Sequence, residues 1–327
     1  MLRVFEHATF DFLGAATRRY VIGAAVFAVV GLATLAVRGV NSSIEFTGGT
    51  LIQVRAADST ITIGRIRAAL AAGGLTGAEI STFGGPRDFL IRSALGADSS
   101  DTDAAAQAAA ERVGESLTAA FGPASYSVER REAIGPKVGG ELRTRALLAV
   151  LLSFGATLVY LTFRFEWRFG IAAIGATAQD ILLAVAFLAL MDLEVSLLVI
   201  AAILTIVGYS LNDKIVVFDR VRENLHKYKR EDFRAILNRS LNETLPRTVL
   251  TGGSVIAALL ALLMLGGPVI RAFAWVMTFG VVIGTFSSMF IGSSVLLWIE
   301  RRWPGADVRG TKTLDPARGQ PATTSAD

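Results

Sequence analysis

The chain of 327 residues is 52% hydrophobic and only 18% charged, where an average soluble domain is about 25% charged. Its apolar residues gather into stretches of about twenty, the length that crosses a hydrocarbon core of roughly 30 Å as helix; an ordinary soluble enzyme is excluded, and a polytopic α-helical membrane protein is predicted. With no cysteine and only His7 and His226, disulfide frameworks, Cys/His zinc sites and haem lack ligands, so no cofactor or metal is implied and carboxylates must carry any proton chemistry. A formal charge of +4 is too small to argue for nucleic acid, and the basic residues sit beside apolar spans, as topology signals do.

Apolar runs at 20–37, 146–163, 169–191, 194–218, 247–265 and 270–299 predict six transmembrane helices. The first is read as an anchor, because Arg18 and Arg19 flank a long apolar core that no A-x-A site closes. Arg3, Arg18, Arg19, Arg164, Arg168, Arg301 and Arg302 then fall on one side, as does the loop expected at 219–246. From Lys214 to Arg247 there are nine basic residues and five acidic ones. The positive-inside rule makes that side cytoplasmic, with both termini in it. The turns at Asp192 and at Gly266-Gly267-Pro268 carry almost no positive charge and belong outside.

Between spans one and two, residues 38–145 are long enough to fold alone and are extracytoplasmic by this topology. Strand Leu51–Arg55, helix Ile63–Ala72, strands Glu79–Phe83 and Asp88–Ser93 around Gly84-Gly85-Pro86, helix 103–121 and strand Ser125–Glu132 read as βαββαβ. That order predicts a ferredoxin-like α+β domain, a fold that hosts many functions and decides none by itself. The tail from 300 to 327 is polar and expected to be disordered beyond Trp303.

A charge at the bilayer centre costs about 2.5–3.5 kcal/mol on insertion scales, which makes carboxylates within spans functional candidates. Asp213, in VGYSLNDKIVVFDR, is followed by enough apolar residues to continue the helix past it. Tyr209 and Val217 share its face by i±4 spacing, and Gly208 would let a neighbouring backbone approach. The competing reading ends the span at Leu211 and leaves Asn212 and Asp213 in the headgroups. Asp180, beside Gln179, is deeper in its span; it fits either a proton site or a protonated acid that locks helix packing. Arg247 opens LPRTVLTGGS, with Thr248, Thr251 and Ser254 as a polar edge, and an anchoring role competes with a functional one there. Gly280, Gly284 and Ser288 form a small-xxx-small ridge for helix packing. Ser210, Ser287 and Ser288 lack a histidine partner, and no glycine run matches a phosphate-binding pattern, so an enzyme has no supporting constellation.

Several blocks together resemble the SecD/SecF family of protein-export membrane subunits, in its SecF branch, related to the resistance-nodulation-division transporters. They are IEFTGGT (44–50), FGGPRDFLIR (83–92), GPKVGGEL (135–142), FRFEWR (163–168), GYSLNDKIVVFDRVREN (208–224), LPRTVLT (245–251), GGPVI (266–270) and GTFSS (284–288). The resemblance implies a subunit of the bacterial inner membrane that uses the proton-motive force to promote late steps of protein export. Its implied partners are a SecD-like subunit as heterodimer, the SecYEG translocon, unfolded preproteins and membrane lipid. By position, Asp213 matches the family's proton-carrying carboxylate and Arg247 the arginine that pairs with it when it is ionised. Asn212, Tyr209, Ser210, Thr248 and Thr251 are expected to support them.

This chain departs from the family at Lys214, where a small hydroxyl residue is usual, and at Gln179-Asp180, where a His-Asp pair is usual. The lysine is expected to face about 100° away from Asp213 and can snorkel toward water; the lost imidazole removes a histidine relay, so Asp180 ranks as supporting. Protons are the expected coupling ion, with sodium also compatible. A passive scaffold of the translocon and a small-molecule efflux protein are the alternative readings.

Overall fold

The computed structural model describes residues 9–303 apart from 76, 84 and 94–101; the tail beyond Trp303 and part of the Gly84-Gly85-Pro86 turn lie outside these. Helix α1 (Ala15–Arg38) leads into a short helix, α2 (Ile44–Thr47), and strand β1 (Gly49–Ala56). Then come α3 (Ile63–Ala72), β2 (Glu79–Thr82), β3 (Asp88–Ser93), α4 (Thr102–Phe121) and β4 (Tyr126–Ile134). The sheet order is β2-β3-β1-β4, with every neighbouring pair antiparallel, which is the ferredoxin-like arrangement expected from the pattern.

The alternation of the strands explains the two faces of this sheet. Ile52, Val54, Phe89 and Ile91 point to one side and form a core with Ile66 and Leu70 of α3 and Val113 and Leu117 of α4. Leu51 and Leu90 point to the other, where they meet Ile44 of α2 and Phe83. This second face looks toward the helical bundle.

The bundle is built from α1, α5 (Pro136–Arg164), α6 (Trp167–Leu190), α7 (Leu197–Lys227), α8 (Phe233–Leu265), α9 (Pro268–Ser287) and α10 (Ser293–Arg302). Helices α9 and α10 are joined by a π-turn, Ser288–Gly292, and count as one span, so six helical stretches among the described residues are long and apolar enough to cross a membrane. Leu147, Leu148, Leu151 and Leu152 of α5 and Val26, Val29 and Val30 of α1 are exposed, a surface that hydrocarbon or another apolar helix can cover.

The basic segment 219–246, expected as a loop, is mostly helix. Helix α7 runs on to Lys227 and α8 begins at Phe233, so only a short connection remains. Local chemistry accounts for this: the Asp232 carboxylate caps α8 by accepting from Arg234 N–H at 3.0 Å. Asn224 donates to Ser240 at 3.0 Å and to Glu243 at 2.7 Å, and Arg220 binds Glu243 at 2.6 Å. The segment before α1 is held on the same helical extension. Asn238 and Asn242 accept from the backbone N–H groups of Phe12 and Phe10, both at 2.8 Å, and donate back to the Phe10 carbonyl. The Phe12 ring is buried 5.8 Å from Phe290 of the π-turn.

At the opposite end, the domain is fastened to the loop between α6 and α7. Val195 N–H donates to Asn41 O at 2.8 Å, and Ser43 N–H donates to Val195 O at 3.0 Å. Glu45 accepts from the N–H of Leu197, the first residue of α7, at 2.5 Å, so an acid from the domain sits at the positive end of that helix. Arg92 of β3 pairs with Glu194. Between the sheet and this loop lies a cavity of about 600 Å³ that includes Glu45, Arg92, Arg130, Glu132, Glu194 and Trp275 in its lining.

Two glycine pairs make the joint compact. Gly48 and Gly49 adopt φ of 72° and 136°, values that favour glycine. A Cβ at Gly139 would lie 2.9 Å from Gly48 N and 3.2 Å from the Phe46 carbonyl, whereas a Cβ at Gly140 would meet nothing. Gly139→Val is therefore expected to push α5 off α2 and destabilise the joint by about 1–3 kcal/mol, while Gly140→Ala is neutral or stabilising by up to about 1 kcal/mol. Thermal unfolding of the two purified variants in the same detergent checks the contrast.

The Glu194 carboxyl is raised above its ordinary value because burial disfavours its charge more than Arg92 offsets. The folded state thus penalises the ionised acid, and that penalty is absent at low pH and sets in as pH rises through the ordinary carboxylate range. Glu194→Gln should raise the unfolding midpoint at neutral pH, and the advantage should close as the pH is lowered below that range.

Candidate functional site

The buried polar chemistry of the bundle is concentrated where α6, α7, α8 and the α9–π-turn junction meet. Adjacent residues of a helix point about 100° apart, and Asp213 and Lys214 use this to face different neighbours. The Asp213 carboxylate accepts from Thr248 Oγ1 of α8 at 2.7 Å and from Ser288 Oγ of the π-turn. Lys214 points into α6, where its ammonium lies 2.6 Å from Asp180 Oδ2. Ser210, one turn earlier on α7, donates to the same Asp180 oxygen and accepts from Lys214.

Both members of the Asp180–Lys214 pair are withdrawn from solvent, at 1% and 0% exposure. The expectation that Lys214 would snorkel toward water is thus corrected. Its stem has an acid of opposite charge within reach on the neighbouring helix, and pairing is cheaper there than an unpaired buried charge. Among the described residues, Asp180 Oδ1 has no hydrogen-bond partner.

Arg247 does not pair with Asp213 in this structure. It lies on the exposed side of α8, one residue before Thr248, which faces inward, and Pro246, inside the helix, withholds a backbone donor just before it. Asn212 and Thr251 are also exposed, and Gln179 is half-buried. Gly208 is exposed with open space where a side chain would stand, so no element of this chain packs against it. Tyr209 is half-buried, its hydroxyl beside Gly252, where a Cβ would come within 3.2 Å of it and of Thr285 Oγ1.

The small-residue ridge lies against the same face of α7. A Cβ at Gly280 would overlap Ile206, and one at Gly284 would stand 3.0 Å from Ser210 Cβ. Ser288, the third member, does more than pack, since its hydroxyl reaches Asp213. It does so from the first position of a π-turn, a local insertion that recurs at functional sites. Sequence periodicity gives no sign of that insertion, and the Asp180–Lys214 pairing was signalled only by opposite charges in consecutive spans.

Asp213 thus sits among hydroxyls that can donate to its ionised form or accept from its protonated form, on a helix that begins at the α+β domain and ends in the polar helical extension. No group of three or more metal-ligating side chains occurs among the described residues.

Residues 113–302 match the family described as protein export membrane protein SecD/SecF, C-terminal, and residues 34–59 match the SecD/SecF GG motif. The protein translocase subunit SecF of Gemmatimonas aurantiaca is 47% identical over 331 aligned residues, covering 100% of this chain and 97% of that relative. The crystal structure of SecDF, a translocon-associated membrane protein from Thermus thermophilus, superposes with a TM-score of 0.80 at 36% identity. A structure of SecDF in a super-membrane-facing form gives 0.64 at 37% identity. Each superposition covers 90% of this chain but only 39% of the solved one, so this chain spans well under half of those proteins. With the family matched across most of the bundle and near-half identity over its whole length, the chain belongs to the SecD/SecF family of protein-export membrane proteins, as a SecF-type translocase subunit.

Proposed function

We propose that this subunit converts the proton-motive force into late-stage movement of exported polypeptides, with Asp213 as the residue that takes up and releases the proton. The observation that carries the reading is the seat of Asp213: a half-buried carboxylate midway along helix α7, bound by the hydroxyls of Thr248 and Ser288 rather than by a cation. One elementary charge crossing 100 mV releases about 2.3 kcal/mol, enough to bias two arrangements of α7 against α8 and α9. Helix α7 carries any such shift to the domain through Glu45 and the Val195 bridge.

The exposed polar residues of α7 and α8, namely Asn212, Arg247, Thr251 and Ser254, are poorly suited to lipid. Their placement favours a SecD-like subunit covering this face and completing a pseudo-symmetric bundle. Arg247 would then be positioned to meet Asp213, or an acid of the partner, in another state of the cycle. In the bacterial inner membrane both termini would lie in the cytoplasm, with the α+β domain outside beside SecYEG and the emerging preprotein.

Export of a secreted protein into inverted membrane vesicles tests this, comparing wild type with Asp213→Asn at equal amounts of assembled complex. The variant should export no faster with an ion gradient than without one. Undiminished stimulation would leave a passive scaffold. Repeating the assay with a sodium gradient in place of a proton gradient identifies the coupling ion.

A further inference from the structure

Around the middle of α7 lie the buried Asp180 and Lys214 and the half-buried Asp213, and the chemistry of their partners differs in kind. Asp213 is served by Thr248 and Ser288, whose hydroxyls both donate and accept, so they can hold the carboxyl in either protonation state. Asp180 is served by Lys214 and Ser210 on a single oxygen. An ammonium only donates, so it favours the ionised acid. The other oxygen, Oδ1, is buried with no hydrogen-bond partner among the described residues, so no partner there favours a proton on it. With all three groups ionised, the set carries one net negative charge, and a single proton makes it neutral.

We propose that Asp180 and Lys214 form a permanently charged pair that confines proton exchange at this site to Asp213, one proton for the two carboxylates. Lys214 is then a positioning residue: it never meets the travelling proton but decides which carboxylate receives it. The surrounding elements bring few other ionisable groups. Helix α1 adds the Tyr20 phenol near Asp180, α7 adds Tyr209, and α8 adds the exposed Arg247; the π-turn adds only the hydroxyl of Ser288. This inference rests on the proposed role of Asp213, and the test separates the two.

The complex with its SecD-like partner is reconstituted in lipid bilayers and titrated by infrared difference spectroscopy of the protonated-carboxyl stretch, with gradient-driven export measured on the same preparations. Bands are assigned by their loss in Asp213→Asn and Asp180→Asn. Of the bands lost in either variant, wild type is expected to show one that titrates, that of Asp213. Lys214→Met should add a second carboxyl that is already protonated at neutral pH, and Lys214→Met combined with Asp180→Asn should remove it and leave the Asp213 band. A purely structural pair would leave the number of carboxyl bands unchanged in Lys214→Met. Two titrating carboxyls in wild type, one of them lost in Asp180→Asn, would overturn the proposal, as would a Lys214→Met complex with no added band. If Lys214→Met fails to assemble, wild type against the double variant still decides: equal numbers support the fixed pair, and one band fewer in the double variant refutes it. A titrating Asp213 whose loss leaves export untouched would instead refute the coupling role while leaving the carboxyl count standing.

Discussion

Hydrocarbon solvates no ion, so each charge that this chain carries into the membrane must find its solvation in a neighbouring helix. Asp180, Asp213 and Lys214 meet that demand in two ways: as a close ion pair on one side of α7 and as a carboxylate among hydroxyls on the other. Much of the bundle follows. The glycines of α9 let it lie close enough to α7 for Ser288 to reach Asp213 and for Ser210 to fit beside Gly284. Helix α6, which brings Asp180 against α7, is more buried than α5 and is packed by α1, α7, α9 and α10. Breaking the ion pair by removing one partner leaves an uncompensated buried charge, typically a loss of about 3–5 kcal/mol, which fixes the relative register of α6 and α7.

Helix α7 is the element on which the two ends of the molecule meet. Its 31 residues span roughly 46 Å at 1.5 Å per residue. Its first N–H is held by an acid of the α+β domain, its middle carries the charged side chains, and its last turns are tied to α8 through Asn224 and Arg220. Within it no proline or π-turn interrupts the ladder, so a displacement at its centre is delivered at both ends as a rigid movement. Helix α8, with Pro246 beside Arg247, and the α9–π-turn–α10 span are the interrupted neighbours. Deformation is cheaper there than in α7.

The elements were legible because their signals are local. Six apolar runs and a βαββαβ alternation survive any tertiary context, and the strands and helices of the α+β domain begin and end within a few residues of those expected, whereas α5, α7 and α8 run well beyond their apolar runs. The helical extensions beyond the membrane were not legible, because RENLHKYKRED reads as a polar loop until Asn224, Ser240 and Glu243 are seen to join across it. At the site, Asp213 and Thr248 stood out as polar residues in apolar surroundings. Ser288 was read as packing because its reach depends on one extra residue in a helix, which leaves no mark on periodicity. Lys214 was read as a snorkelling cation because a sequence displays its distance from the span end but not the presence of Asp180 across the helix pair. Gly208 meets no neighbour within this chain, because small size permits close approach but does not supply the neighbour.

The docking of Phe10 and Phe12 onto Asn238 and Asn242 has a consequence for biogenesis. These hydrogen bonds join residues 226 to 232 positions apart, and Phe12 also packs on Phe290 of the π-turn. Helix α1 precedes α8 and the α9–π-turn–α10 span in chain order, yet the surfaces that orient its leading end exist only after those have been made. Loop-closure cost of this kind is met late in folding. Helix α1 is therefore seated later than its place in the chain suggests, and a nascent chain that stops short of the α9–π-turn–α10 span leaves it without its anchor at that end.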